Sequence, residues 1–189
     1  MQTSRTALIL VDVQKGFDDP VWGKRNNPDA EKQIARLLAA FRERGASVFH
    51  FQHLSTNPNS PLHPDRNGCA LKAEIQPLPG EPVLTKRVNS CFMGTPLEEE
   101  LRKLEIESLV VCGLTTDHCV SSTVRMGANL GFRVYVASDA TATFDRIGPD
   151  GRRHSAELVH DIALASLNEE FAIVSTSDLL IQKLFTEPA

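Results

Sequence analysis

The sequence predicts a single-domain α/β protein, a Rossmann-like three-layer sandwich with a six-stranded, mostly parallel sheet and helices on both faces. Short apolar runs alternate along the chain with longer amphipathic patterns, as in repeated strand–helix units. The first apolar run has almost no polar alternation, which is typical of a strand buried on both faces. The length of 189 residues fits one domain with a substantial core, so we treat residues 1–189 as a unit.

The first predicted elements are a strand, a helix and a second strand. Residues 7–13, ALILVDV, predict a buried strand. Residues 29–45 predict an amphipathic helix that ends at Gly45, a residue common just beyond helix C-termini. Its apolar face consists of Ile34, Leu37, Leu38 and Phe41. Residues 47–53 predict the second strand, and the Pro-, Asn- and Ser-rich segment 54–80 predicts a long loop of the kind that covers sites or forms subunit contacts.

The middle of the chain repeats the alternation. Residues 82–87 predict a third strand, and residues 95–106 predict a helix with Pro96 in its first turn. Residues 108–113 predict a fourth strand, and residues 117–131 predict a helix closed by a terminal glycine. The remaining elements are a strand at 133–138, a helix at 154–170, a strand at 171–176 and a helix at 177–185.

Composition and charge exclude several classes of partner. The net charge of -4 and the lack of a basic stripe argue against nucleic-acid binding. No apolar run is long enough to span a membrane and no secretory leader is apparent, so we expect a cytoplasmic protein without membrane contact. The four cysteines form no CxxC pair, which argues against a zinc knuckle or a thioredoxin-type site, and we expect free thiols.

Three chemically capable residues follow three different predicted strands. Asp12 lies near the end of the first strand, Lys86 near the end of the third, and Cys119 just beyond the fourth. Parallel sheets bind ligands in the crevice beyond the carboxyl ends of their strands, so the three side chains converge there. Each has an ordinary alternative: a turn-capping aspartate, an exposed lysine, or an inert buried thiol. Arg87 competes with Lys86, although strand alternation puts the two on opposite faces.

Cys119 differs from Cys112 in its predicted surroundings. Cys112 lies within the fourth strand, where an inert apolar role is expected. Cys119 lies in the first turn of a helix, where unpaired N–H groups and the helix dipole favour a thiolate. His118 is a rival base, but neighbouring residues on a helix project about 100° apart, so a pocket or surface role suits it better.

The order of these motifs resembles the isochorismatase-like cysteine hydrolase family, which includes nicotinamidases, carbamoylsarcosine amidohydrolases, and ureidoacrylate, biuret and streptothricin hydrolases. The resemblance covers nearly the whole chain. It is carried by Asp-x-Gln after the first strand, by a lysine shortly before Ser-x-Phe-x-Gly-Thr, and by Gly-x-Thr-Thr-Asp-x-Cys-Val. The family's triad of Asp, Lys and Cys corresponds to Asp12, Lys86 and Cys119.

The resemblance implies a mechanism and a backbone feature. Asp12 takes the thiol proton, Lys86 holds the thiolate, and Cys119 attacks an amide-type carbonyl to give a thioester that water then hydrolyses. The family's non-proline cis peptide corresponds to Leu114–Thr115. The N–H groups of Thr115 and Cys119 would then form an oxyanion hole. The resemblance also implies a homo-oligomer, either a dimer or a tetramer.

No cofactor and no metal are expected. Nicotinamidases carry a metal-binding Asp-x-His after the second strand, but here Phe51 replaces the aspartate and only His53 is kept. A metal site built on His53 and His63 is therefore disfavoured. True isochorismatases lack the nucleophilic cysteine, so Cys119 favours cleavage of a C–N bond.

The expected partner is a small amide-type molecule. We predict that its pocket is formed by Phe17, Trp22, Asn89, Phe92 and His118. Ordinary packing is the alternative for the three aromatic residues. Asp117 is expected to cap the helix.

The sequence is also compatible with other functions. They are an isochorismatase-type hydrolase of another small substrate, a thiol redox or sensor protein using Cys119, and an interaction protein without catalysis. A nucleotide-binding protein is disfavoured, because no phosphate-binding glycine motif follows the first strand.

Overall fold

The computed structural model describes residues 3–186 and contains a six-stranded sheet in which every pair of neighbouring strands is parallel. Its strands are β1 (Thr6–Val11), β2 (Ser47–His53), β3 (Val83–Lys86), β4 (Ser108–Leu114), β5 (Arg133–Ala142) and β8 (Ile173–Ser175). Their order across the sheet is β3-β2-β1-β4-β5-β8. Two further strands, β6 (Arg146–Ile147) and β7 (Arg153–His154), form a separate antiparallel ribbon. The helices are α1 (Ala30–Glu43), α2 (Leu97–Lys103), α3 (Ser121–Asn129), α4 (Ala156–Leu167) and α5 (Ser177–Thr186).

The helices cover both faces of the sheet, so the predicted three-layer α/β fold is confirmed. Alternate residues of β1 point to opposite sides, as the pleat of a strand requires. Leu8 and Leu10 pack in the cluster that contains α1 and α5. Ile9 and Val11 pack in the cluster that contains α2, α3 and α4. Among the helices of residues 3–186, none is both long and apolar enough to cross a membrane.

Three of the predicted elements differ in the structure, and the ribbon of β6 and β7 was not predicted. The helix predicted at 117–131 begins with a π-helical turn, Thr116–Val120, and becomes α-helical only afterwards. The fifth strand extends to Ala142, with a register irregularity against β4. The long loop at 54–80 contains two short 3-10 turns and contributes Leu62 and Ile75 to the core, so it is part of the packed body.

The chain crosses over between β1 and β4, and the crevice beyond these two strands is the expected ligand site. The two strand ends approach unusually closely at Gly113. A Cβ atom built on Gly113 would lie 2.0 Å from the carbonyl oxygen of Val11, and the φ angle of Gly113 is 120°. Only glycine fits this contact, because both the backbone conformation and the available space exclude a side chain.

Gly113→Ala should therefore destabilise the protein strongly, by about 3 kcal/mol or more, since a backbone clash cannot be relieved by a rotamer change. Gly131→Ala is the matched control. Gly131 also has a positive φ, of 87°, but no atom lies within 4 Å of the position that its Cβ would take, so only the conformational cost of about 1–2 kcal/mol applies. Urea unfolding of both variants measures the difference. Equal losses of stability would contradict the close-approach explanation.

Candidate active site

Asp12 and Lys86 form a buried ion pair at the base of the crevice. Asp12 is the first residue after β1 and has a φ of 51°, a conformation that non-glycine residues rarely adopt. Lys86 is the last residue of β3, and its Nζ donates to Oδ2 of Asp12 at 2.6 Å. Both side chains have 0% relative exposure, whereas the rival Arg87 is exposed. A buried charge requires such a partner, because removing an unpaired charge from water is costly.

Cys119 lies beside this pair. It is part of the π-helical turn that follows β4, and it is 8% exposed. A carboxylate oxygen of Asp12, a ring nitrogen of His53 and the sulfur of Cys119 all lie within 4.8 Å of one another. The structure thus brings together the three residues that the strand ends and the family resemblance selected. Their catalytic roles remain a prediction.

Thr115 connects β4 to the turn that carries Cys119. The Leu114–Thr115 peptide bond is cis, at the position implied by the resemblance. The carbonyl oxygen of Thr115 accepts hydrogen bonds from the backbone N–H groups of His118 and Val120, both at 3.1 Å. These bonds fix the turn around Cys119. The oxyanion hole at Thr115 and Cys119 remains a prediction.

A small cavity of about 140 Å³ has Cys119 among its lining residues. Four of the five predicted substrate-binding residues line it: Phe17, Trp22, Asn89 and His118. The fifth, Phe92, is not among the lining residues. Phe92 stacks on Phe132, with ring centroids 6.0 Å apart, in the core cluster that contains α3. This packing does not support the predicted substrate contact for Phe92.

Arg146 is a cavity residue that the sequence analysis missed. Its guanidinium group binds Asp117 through two hydrogen bonds, from Nε to Oδ2 at 2.8 Å and from Nη2 to Oδ1 at 3.2 Å. Thr143 donates to the same carboxylate at 2.5 Å. Burial opposes ionisation of Asp117, but the hydrogen bonds from Arg146 and Thr143 outweigh it and lower the pKa of Asp117. Asp117 therefore anchors Arg146 and is not the helix cap that we predicted.

The electrostatics of the thiol differ from the sequence-based expectation. Burial raises the pKa of Cys119 well above the ordinary cysteine value, and the negative charge of Asp12 raises it further, while Lys86 partly offsets both effects. Burial also opposes the charge of Lys86, but the neighbouring Asp12 more than compensates and the pKa of Lys86 is raised. The raised pKa of Cys119 favours the protonated thiol beside the Asp12–Lys86 ion pair at neutral pH.

Alkylation of Cys119 by iodoacetamide should therefore be slow at pH 7. The thiolate is the reactive form, so a raised pKa means that the labelling rate keeps rising with pH beyond the ordinary cysteine value of about 8.5. The rate at Cys119 is measured by mass spectrometry of the labelled peptide, with the Cys119→Ser variant to correct for the other cysteines. A labelling rate that reaches its plateau below pH 8 would contradict the protonated resting state.

The residues present do not fit a nicotinamidase-type metal site. Phe51, at the position of the missing aspartate, has 0% exposure and packs in the core. His63 does not line the cavity, and its Nδ1 accepts a hydrogen bond from the backbone N–H of Asp65 at 3.3 Å. Of the two histidines considered for that site, His53 alone lines the cavity.

Comparisons with known proteins agree with this architecture. A family model described as the isochorismatase domain matches residues 6–178. The isochorismatase family protein YrdC of Bacillus subtilis is 49% identical over 177 residues, which cover 94% of this chain and 95% of that protein. Ureidoacrylate amidohydrolase RutB of Methylobacterium radiotolerans is 30% identical and covers 93% of this chain and 78% of its own length. A solved structure of an isochorismatase-family protein from Chromobacterium violaceum superposes with a TM-score of 0.93 at 44% identity, covering 97% of this chain and 95% of that one.

Proposed function

The chain belongs to the isochorismatase family of hydrolases, and from this premise we propose that it cleaves a C–N bond of a small amide, ureide or carbamoyl compound through a thioester on Cys119. The observation that carries the proposal is the position of the Cys119 sulfur, within 4.8 Å of a buried carboxylate of Asp12 at the cavity. The relative named ureidoacrylate amidohydrolase supports hydrolysis of this bond type.

The first half of the proposed reaction forms the thioester. Asp12 accepts the thiol proton while the sulfur attacks the carbonyl carbon, and the ammonium group of Lys86 balances the charge that develops on sulfur. The N–H groups of Thr115 and Cys119 are the proposed donors to the tetrahedral oxyanion. Asp12 then returns the proton to the leaving nitrogen, and the C–N bond breaks.

The second half hydrolyses the thioester. Water replaces the departed amine or ammonia, and Asp12 removes a proton from it as it attacks the thioester carbonyl. The C–S bond breaks, the acid product leaves, and the proton returns to the sulfur of Cys119. One carboxylate thus accepts and returns a proton in each half of the reaction, with the ammonium group of Lys86 at 2.6 Å from it.

The dimensions of the cavity limit the substrate. A volume of about 140 Å³ is similar to that of an engineered lysozyme cavity of about 150 Å³ that holds one benzene molecule. Phe17 and Trp22, with ring centroids 5.4 Å apart, supply an apolar wall. Arg146 supplies a cation that Asp117 holds in a fixed orientation. We therefore infer a small, compact substrate that carries a hydrogen-bond acceptor opposite Arg146.

Arg146→Ala should raise KM by about 10- to 100-fold, because a charge-assisted hydrogen bond contributes roughly 1.5–3 kcal/mol. The effect on kcat should be smaller. Arg153→Ala, in the neighbouring strand of the ribbon, is the matched control, since Arg153 is an exposed arginine paired with Asp145. Steady-state kinetics separate the two parameters. An unchanged KM with a large loss of kcat would indicate that Arg146 positions the Cys119 turn and does not bind the substrate.

The function is tested by measuring ammonia or amine release from a panel of small amides, ureides and carbamoyl compounds, with Cys119→Ala beside the native protein. A compound that only the native protein hydrolyses would support the proposal and identify the substrate class. Failure of the whole panel would contradict C–N hydrolysis of small molecules. A thiol sensor has less support, because redox-sensing cysteines have lowered pKa values and the pKa of Cys119 is raised.

A further inference from the structure

The inner end of the cavity contains one oxygen, one nitrogen and one sulfur donor from three separate elements. Asp12 follows β1, His53 ends β2, and Cys119 lies in the π-helical turn. Their donor atoms lie within 4.8 Å of one another, and all three residues line the cavity. Two strand ends and the turn after β4 thus bring the three side chains to a common point.

Two of these side chains have unused hydrogen-bonding atoms. Oδ1 of Asp12 and Nδ1 of His53 are buried, and neither has a hydrogen-bond partner within residues 3–186. Asp12 is itself fully buried. A buried polar atom without a partner costs about 1–3 kcal/mol, so a ligand that engages such atoms gains free energy on binding.

The three donor atoms, an oxygen, a nitrogen and a sulfur, favour one class of metal ion. Magnesium and calcium prefer oxygen ligands only, whereas zinc binds thiolate, imidazole and carboxylate at about 2.0–2.3 Å. Three protein ligands around a tetrahedral ion leave a fourth position for water. We propose that Asp12, His53 and Cys119 form a reversible inhibitory site for Zn²⁺. Binding forms a Zn–S bond and releases the thiol proton to solvent, so no oxidant or reductant is needed.

Lys86 limits the affinity of this site for Zn²⁺. Its ammonium group lies 2.6 Å from Oδ2 of Asp12, so it repels the ion and competes for the carboxylate. The site is accordingly an exchangeable inhibitory one, and the ion occupies the sulfur that hydrolysis requires. It shares only His53 with the metal set that the family resemblance implies for nicotinamidases. Ion binding depends on the side-chain geometry alone, whereas the inhibitory effect rests on the proposed hydrolase function.

Cobalt is a suitable probe, because Co²⁺ bound to a thiolate produces a charge-transfer absorption band. This band reports ion binding without an activity assay. The full-length protein is titrated with Co²⁺, and the bound ion is then displaced with Zn²⁺. We expect one Co²⁺ per chain, a thiolate band that is lost in Cys119→Ser, and affinity at least about tenfold lower in His53→Ala. His63→Ala and Cys69→Ser are the matched controls and should bind like the native protein.

Three results would overturn the proposal. They are the lack of a thiolate band at saturating Co²⁺, a band that persists in Cys119→Ser, and a His53→Ala variant that binds Co²⁺ as tightly as the native protein. The last would mean that the thiol binds the ion without the imidazole. Thermal unfolding midpoints of each variant verify that it is folded. Inhibition of hydrolysis by Zn²⁺ is a separate measurement, so failure of the hydrolase proposal and failure of the metal proposal remain distinguishable.

Discussion

Cys119→Ala should abolish hydrolysis of any substrate that the panel identifies, with a loss of about 10⁴-fold or more in kcat. Removing a nucleophile eliminates the covalent route, and the rest of the site retains only the modest catalysis that comes from binding and charge stabilisation. The substituted side chain is small and the position is almost buried, so the fold should persist. Single-turnover and steady-state rates measure the loss.

Cys112→Ala is the matched control for this prediction. Cys112 is also buried, lies in β4 and has its sulfur 3.8 Å from the carbonyl oxygen of Ile9, away from the cavity. This variant should keep a kcat near that of the native protein and lose only packing energy. Retention of more than about one hundredth of the native kcat by Cys119→Ala would remove Cys119 as the nucleophile.

Lys86→Met should have the second large effect, on stability as well as on activity. The substitution leaves the carboxylate of Asp12 fully buried without its ammonium partner at 2.6 Å. Breaking one side of a buried ion pair costs about 3–5 kcal/mol. We expect a loss of this size in the free energy of unfolding at pH 7, measured in urea, together with a loss of turnover.

The double variant Asp12→Asn with Lys86→Met tests whether the unpaired carboxylate of Asp12 causes the loss of stability in Lys86→Met. It removes both charges, so it should recover most of the stability lost in Lys86→Met while remaining inactive. The coupling free energy between the two substitutions is the decisive quantity. Additive effects of the two single variants would mean that Lys86 stabilises the fold through packing and not through Asp12.

The fold and the central residues of the site could be predicted because local patterns determine them. Uninterrupted apolar runs indicate buried parallel strands, and parallel strands bring their carboxyl ends to one edge. Asp12, Lys86 and Cys119 each follow such a run, so their proximity follows from topology. The cis peptide at Leu114–Thr115 was available only through the family resemblance, because no local pattern of residues indicates it.

The cavity walls could not be predicted, because they depend on contacts between distant segments. Arg146 lies in a two-residue strand without periodicity, and its orientation depends on Asp117 in another element. Phe92 follows the Lys86 strand closely in sequence, yet its ring turns away and stacks on Phe132. The raised pKa of Cys119 was also missed, because it arises from burial of the thiol and from the adjacent carboxylate of Asp12.

The antiparallel ribbon of β6 and β7 has a consequence for how enzymes of this architecture can diversify. Asp12 and Lys86 lie at the ends of β1 and β3 and Cys119 lies in the turn after β4, whereas Arg146 is supplied by a ribbon that does not belong to the central sheet. Substitutions in the ribbon that keep the contact of Arg146 with Asp117 can therefore change the cavity wall while Cys119, Asp12 and Lys86 keep their places. Under the proposed function, new substrate preferences can evolve at the ribbon by small steps that leave Asp12, Lys86 and Cys119 in place.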